Sequence, residues 1–208
     1  MLDERVHLTT IDLLQVGADA AVVEDSGWLR AMRGPAAVLD ALYPSLRRAR
    51  ELAIEARGGP FPLGSAAAFP LPLDESGRTL AIWAITYTYP QEFTPAEPAS
   101  QRRVRATPLV VAAATREAIQ RAVAAGARHV AMPALGTRAD YHVLPPVPKK
   151  LPRYTMGAAQ LVGLHQALAT TQAIRQVTVS LSQRDYAIFE DLLGRGGPRH
   201  NEDEDNDA

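Results

Sequence analysis

Short apolar runs alternate along this chain with segments whose apolar positions recur at helical spacing. Residues 6–9 (VHLT) read as a short strand, and Thr10-Ile11-Asp12-Leu13-Leu14 as a turn into a short helix or loop. Ala20-Ala21-Val22-Val23 has the all-apolar character of a strand buried on both faces, and Glu24-Asp25-Ser26-Gly27 is a polar break at its end. Arg33-Gly34-Pro35 then opens a helix, with proline at the first helical position and Val38, Leu39 and Leu42 in 3.6-residue phase. Pro44-Ser45 restarts a second helix. Its inner face is expected to carry Leu46, Ala49, Leu52, Ala53 and Ala56, with Arg47, Arg48, Arg50 and Glu51 outside, until Gly58-Gly59-Pro60 stops it.

The second half continues the alternation. Residues 66–69 predict a strand, Asp74-Glu75-Ser76-Gly77 a turn, and residues 80–87 (LAIWAITY) the strongest strand of the sequence. Residues 89–105 form a long loop with three prolines, a lid or partner surface on one reading and a plain surface loop on the other. Thr107-Pro108 starts a helix that Gly126 ends. A strand over 130–132 runs through Pro133 into Ala134-Leu135-Gly136-Thr137, a loop with a glycine for close backbone approach and a hydroxyl. Residues 138–153 hold four prolines, Lys149-Lys150 and Arg153, and form either a basic cover reaching toward an anion or a solvated loop. A helix over 155–169 places Leu161, Leu164, His165 and Leu168 on one face, with His165 expected at the edge of the core. After a strand over 177–181, Ser182 and Asp185 have capping-box spacing and start a last helix, with Tyr186, Phe189 and Leu193 on one face.

This order predicts an α/β fold, a three-layer α/β/α sandwich around a central mixed β-sheet. One domain is expected over residues 1–194. Residues 195–208, with their dense negative charge, are expected to form a disordered acidic tail. In such sheets a strand that delivers a small-residue loop at its C-terminal end borders the ligand crevice, so residues 127–138 are the candidate centre.

Composition narrows the chemistry. The 22 basic and 23 acidic side chains nearly cancel, so charge does not favour a nucleic-acid partner. The chain has no cysteine, which excludes disulfides, zinc–thiolate sites and a cysteine nucleophile. No apolar run is long enough to span a bilayer, and MLDERVHLTT lacks the apolar stretch of a signal peptide, so a cytoplasmic location is expected. No cofactor is implied.

Several local strings resemble the macro domain, the ADP-ribose-binding module. That family has a strand, then Gly-Asp-Ile-Thr, then Val-Asp-Ala-Ile-Val and Asn-Ala-Ala-Asn. Here Ile11-Asp12-Leu13-Leu14 is followed in register by Ala18-Asp19-Ala20-Ala21-Val22-Val23. Two helices, Pro62-Leu63-Gly64-Ser65-Ala66 and a strand follow in the family's order. Met132-Pro133-Ala134-Leu135-Gly136-Thr137 matches the family's second loop, Phe-Pro-Ala-Ile-Ser-Thr-Gly. The likeness covers residues 4–194.

The resemblance implies a site residue by residue. Asp12 would accept a hydrogen bond from an adenine amino group, or else serve as a turn aspartate. Ser26 replaces the ribose-positioning asparagine. The glycine-rich loop keeps only Gly34, preceded by Arg33. Leu135, Gly136 and Thr137 line the second loop, where Arg138 replaces a glycine and either pairs with a phosphate or blocks it. Tyr186 falls where the family often places an adenine-stacking aromatic, or faces the core. The expected partner is ADP-ribose or a related nucleotide, bound without family-type hydrolysis. Two alternatives stand: a ligand-free macro fold working by protein contact through residues 89–105 and 138–153, and a hydrolase of ADP-ribosyl linkages that uses Glu24 or Asp25.

Overall fold

A computed structural model describes residues 3–31, 34–72, 77–87, 106–137 and 150–194. The chain runs β1 (Val6–Thr9), a 3-10 turn (Leu13–Gln15), β2 (Ala20–Ser26), α1 (Gly34–Leu42), α2 (Ser45–Arg57), β3 (Ala66–Pro70) and β4 (Leu80–Tyr87). It continues through α3 (Pro108–Ala124), β5 (His129–Pro133), α4 (Lys150–Ala169), β6 (Gln176–Ser180) and α5 (Gln183–Leu192). The six strands form one sheet in the order β1-β6-β5-β2-β4-β3. Every neighbouring pair is parallel except β3 with β4. This is the mixed sheet expected from the sequence, with helices on both faces.

The two faces bury separate cores. One joins Val22, Ile82, Met132 and Val179 to residues of α3, α4 and α5, among them Val111, Leu164 and Phe189. The other joins Val23, Trp83, Ile85 and Ala131 to Leu13, Leu39 and Leu46 from the 3-10 turn, α1 and α2. β2 and β4 feed both cores, which is why they read as continuous apolar runs rather than alternating ones.

Caps predicted from sequence are present. Thr107 accepts from the Val110 N–H and Ser182 from the Asp185 N–H. Gly58 and Gly126 adopt positive φ after α2 and α3.

Several local expectations are corrected, among them the inner-face positions Leu52 and Ala56 of α2, which are exposed. β2 does not break at Glu24; it stays paired with β4 through Ser26, because neighbouring backbone donors satisfy its polar side chains. α4 begins at Lys150, inside the segment expected to be loop; Pro152 falls in its first turn, where no intrahelical N–H is needed. His165 is exposed, not packed at the core edge. Of the three apolar positions assigned to α1, Leu39 alone is buried, while Val38 and Leu42 face solvent.

At the N-terminal edge of the sheet, Asp19 ties the starts of β2 and β5 together. Its carboxylate accepts from the Arg128 and His129 N–H groups at 2.7 and 2.9 Å. Burial pushes the Asp19 pKa up, but these two donors and the nearby His129 and Arg128 charges bring it below the usual 3.8. Burial lowers the His129 pKa from 6.5 against the opposing Asp19 charge. Both groups have depressed folded pKa values. Their contributions are therefore present above those ordinary values and are lost as pH falls, His129 first and Asp19 second. Denaturant midpoints measured from pH 7 to pH 3 should fall in two stages, and Asp19→Asn should flatten the lower one. An unchanged acid profile in that variant would remove Asp19 from the account.

Candidate functional site

Because β1, β6, β5, β2 and β4 are parallel, Thr9, Ser180, Pro133, Ser26 and Tyr87 end on one edge. From β2 the chain passes through α1, α2 and β3 to β4, on one side. From β5 it passes through α4 to β6, on the other. The connections diverge at β2 and β5, which makes this the topological switch point. The two strands are paired at Ala20–Val130 and Ala21–Ala131; toward the C-terminal edge β2 is bonded to β4 through Ser26.

The loop after β2 is organised by Asp25. Its carboxylate is buried and accepts from the Ser26 and Ala31 N–H groups, each at 2.7 Å. Within the loop, Leu29 and Ala31 have positive φ, a conformation that costs a side chain about 1 kcal/mol or more. Gly27 packs so closely that a Cβ there would lie 2.2 Å from the Phe61 carbonyl oxygen. Arg50 holds the loop from below. Expected on the outer face of α2, it is only 4% exposed. Its guanidinium donates to the Leu29 carbonyl and to Asp40, and lies 5.3 Å from the Trp83 ring centroid. The missed signal is phase: Arg50 sits one turn after buried Leu46.

The loop after β5 is held by side chains from two other elements. Gln160, fully buried on α4, accepts from the Leu135 N–H at 2.9 Å and donates to the Pro133 carbonyl at 2.9 Å. Glu24 on β2 accepts from the Gly136 N–H at 2.7 Å and also from the Thr86 hydroxyl on β4. Gly136 has φ of 69°, and a Cβ there would fall 2.7 Å from the Val111 Cγ2. Leu135 and Thr137 are buried, so the Leu135 side chain belongs to the core.

At the β1 end, Asp12 is exposed and caps the 3-10 turn, accepting from the Leu14 N–H at 2.9 Å. Beside it Ile11 is 54% exposed, and the Ile11 carbonyl accepts from the Ser180 hydroxyl at the end of β6. Tyr186, on α5, is half-buried and packs against the core of that face. Arg153 donates to Asp185 at 2.8 Å, and Asp185 also accepts from the Ser182 hydroxyl. That guanidinium is therefore paired within the fold. Among the described residues, no cluster of three histidine or acidic side chains could hold a metal.

The solved macrodomain of Oceanobacillus iheyensis with ADP is similar to this chain over 93% of its length and 94% of the other's, with a TM-score of 0.70 and 18% identity. The chain has the macrodomain fold. The macro domain of ganglioside induced differentiation associated protein 2 matches at 13% identity over 93% and 86%, with a TM-score of 0.64. The DarG macrodomain of Mycobacterium tuberculosis matches at 17% identity over 85% and 96%, with a TM-score of 0.55. No protein-family model matches the sequence, and no curated protein does.

On the macrodomain frame, Asp12, Ser26, Leu135, Gly136, Thr137 and Tyr186 all lie toward the strand-end edge of the sheet, and Gly34 opens α1 with φ of 64°. Arg33, Arg138, Lys149, residues 89–105, expected as a loop, and residues 195–208, expected as a tail, lie outside the described residues. Glu24 and Asp25 stand at the strand end, but both carboxylates accept backbone N–H groups. No described helix is long and apolar enough to cross a membrane.

Proposed function

We propose that this strand-end crevice binds ADP-ribose or a related nucleotide and does not hydrolyse it by the family's route. The carrying observation is Asp12, whose exposed carboxylate stands at the C-terminal edge of the sheet with one oxygen on the Leu14 N–H. An ionised carboxylate is an acceptor and suits an exocyclic amino group such as that of adenine. The similar Oceanobacillus iheyensis macrodomain was solved with ADP, and a mutant of it with ADPR. The case against hydrolysis comes from the neighbouring residues. Ser26 is buried where an asparagine would address the ribose. Asp25 and Glu24 hold loop backbone, which leaves them poorly placed to take a proton from water. The binding unit is residues 1–194, with 195–208 as a tail outside it.

Asp12→Ala tests the assignment. Loss of a charge-assisted hydrogen bond costs about 1.5–3 kcal/mol, or roughly 10- to 100-fold in affinity. Titration calorimetry with AMP and with ADP-ribose should show that loss for both ligands. The missing turn cap should lower stability by about 1 kcal/mol. Wild-type affinity in the variant would take Asp12 out of the site.

A further inference from the structure

Four backbone N–H groups at the ends of β2 and β5 are already bonded to side chains of the chain itself. Ser26 and Ala31 donate to Asp25, Leu135 to Gln160 and Gly136 to Glu24. Successive backbone donors at a strand-end loop are what an anionic ligand ordinarily binds. Here Glu24 occupies that role at Gly136, at 2.7 Å, and the same carboxylate oxygen also accepts from the Thr86 hydroxyl. The loop has little room to re-aim its donor. Val111 and Ala106 crowd Gly136, and Gln160 fixes the preceding residue.

We infer that Glu24 sets the ligand class of the crevice by standing in for a phosphate at the Gly136 N–H, so that the site prefers adenosine and AMP to ADP and ADP-ribose. The inference rests on the nucleotide-binding reading and narrows it. A diphosphate at this loop either displaces the carboxylate from a bond it already makes or sits beside a like charge. A ribose hydroxyl meets neither penalty, because it can donate to the carboxylate.

The test is a titration series of adenosine, AMP, ADP and ADP-ribose against wild type, Glu24→Gln and Glu24→Ala, with thermal unfolding of each protein alongside. The glutamine variant keeps an acceptor for Gly136 and removes the charge; the alanine variant frees the N–H. Wild type should bind less tightly as phosphates are added. Glu24→Gln should tighten ADP and ADP-ribose about tenfold while adenosine gains nothing, and Glu24→Ala should tighten the two diphosphates at least as much while weakening adenosine, which loses its acceptor. Should one variant fail to fold, the other and the wild-type series decide. Wild type binding ADP-ribose most tightly, with no gain in the folded variants, overturns the inference and leaves the nucleotide reading standing. An equal gain for adenosine also overturns it, since charge would not be the cause. Binding of none of the four ligands to any of the proteins overturns both.

Discussion

Asp25→Ala should lower the unfolding midpoint by about 10 °C. The Asp25 carboxylate is buried and its two oxygens accept separately from the Ser26 and Ala31 N–H groups. Removing it leaves two enclosed donors without that acceptor, at about 1–3 kcal/mol each. It also releases a loop that already carries two non-glycine residues at positive φ. A total of about 3–5 kcal/mol, at roughly 2–4 °C per kcal/mol for a chain of this size, gives the stated shift. Asp25→Asn should recover only part of it, because an amide offers one acceptor oxygen and turns a donor toward the other N–H. Thermal unfolding followed by circular dichroism measures both. If Asp25→Ala melts with wild type, the carboxylate does not organise the loop, and a chemical role for it returns to consideration.

Gly163→Val should destabilise by about 3 kcal/mol. Gly163 lies where α4 crosses α3, and a Cβ there would sit 2.5 Å from the Ala112 carbonyl oxygen and 2.9 Å from the Thr115 Cβ. The first of these is backbone, so relief requires the helices to move apart, which disturbs a core containing Val111, Ala118, Leu164 and Leu168. Gly163→Ala makes the cause visible. Helix propensity alone predicts a gain of up to about 1 kcal/mol from this change, whereas the contact predicts a net loss. Gly157 serves as the contrast. A Cβ there meets side-chain atoms of Leu192 and Phe189 at 3.0 and 3.1 Å, so Gly157→Ala should cost less than Gly163→Ala. Chemical denaturation of the set decides the matter, and a stabilised Gly163→Ala would show that α3 and α4 adjust freely.

These two residues also mark the limit of what local sequence can reveal. Gly163 sits within an apolar helical pattern, and nothing within one turn of it indicates that another helix crosses there. Asp25 and Glu24 read as a polar break after an apolar strand, because a run of charged residues is ordinarily solvated. The structure instead continues the strand through them. Glu24 meets a partner 112 residues away and Asp25 one six residues on.

The sequence by itself determined the elements whose signals are local. The strand of residues 80–87 follows from a run of β-branched and aromatic side chains. The helices beginning after Thr107 and Ser182 follow from their caps, and the mixed α/β sandwich from the alternation of elements. The order of motifs, with Asp12 ahead of the apolar β2 run and Pro133 to Thr137 after β5, was legible as a macro-type pattern without the structure. Tertiary structure alone decided which polar residues are enclosed. Arg50 lies beneath Trp83, Gln160 under the β5 loop, and Glu24 on the Gly136 N–H. Periodicity reports how often apolar groups recur along one element. Whether a buried polar group is satisfied depends on donors and acceptors that other elements bring to it, and those meet only when the sheet and its two helical layers are assembled.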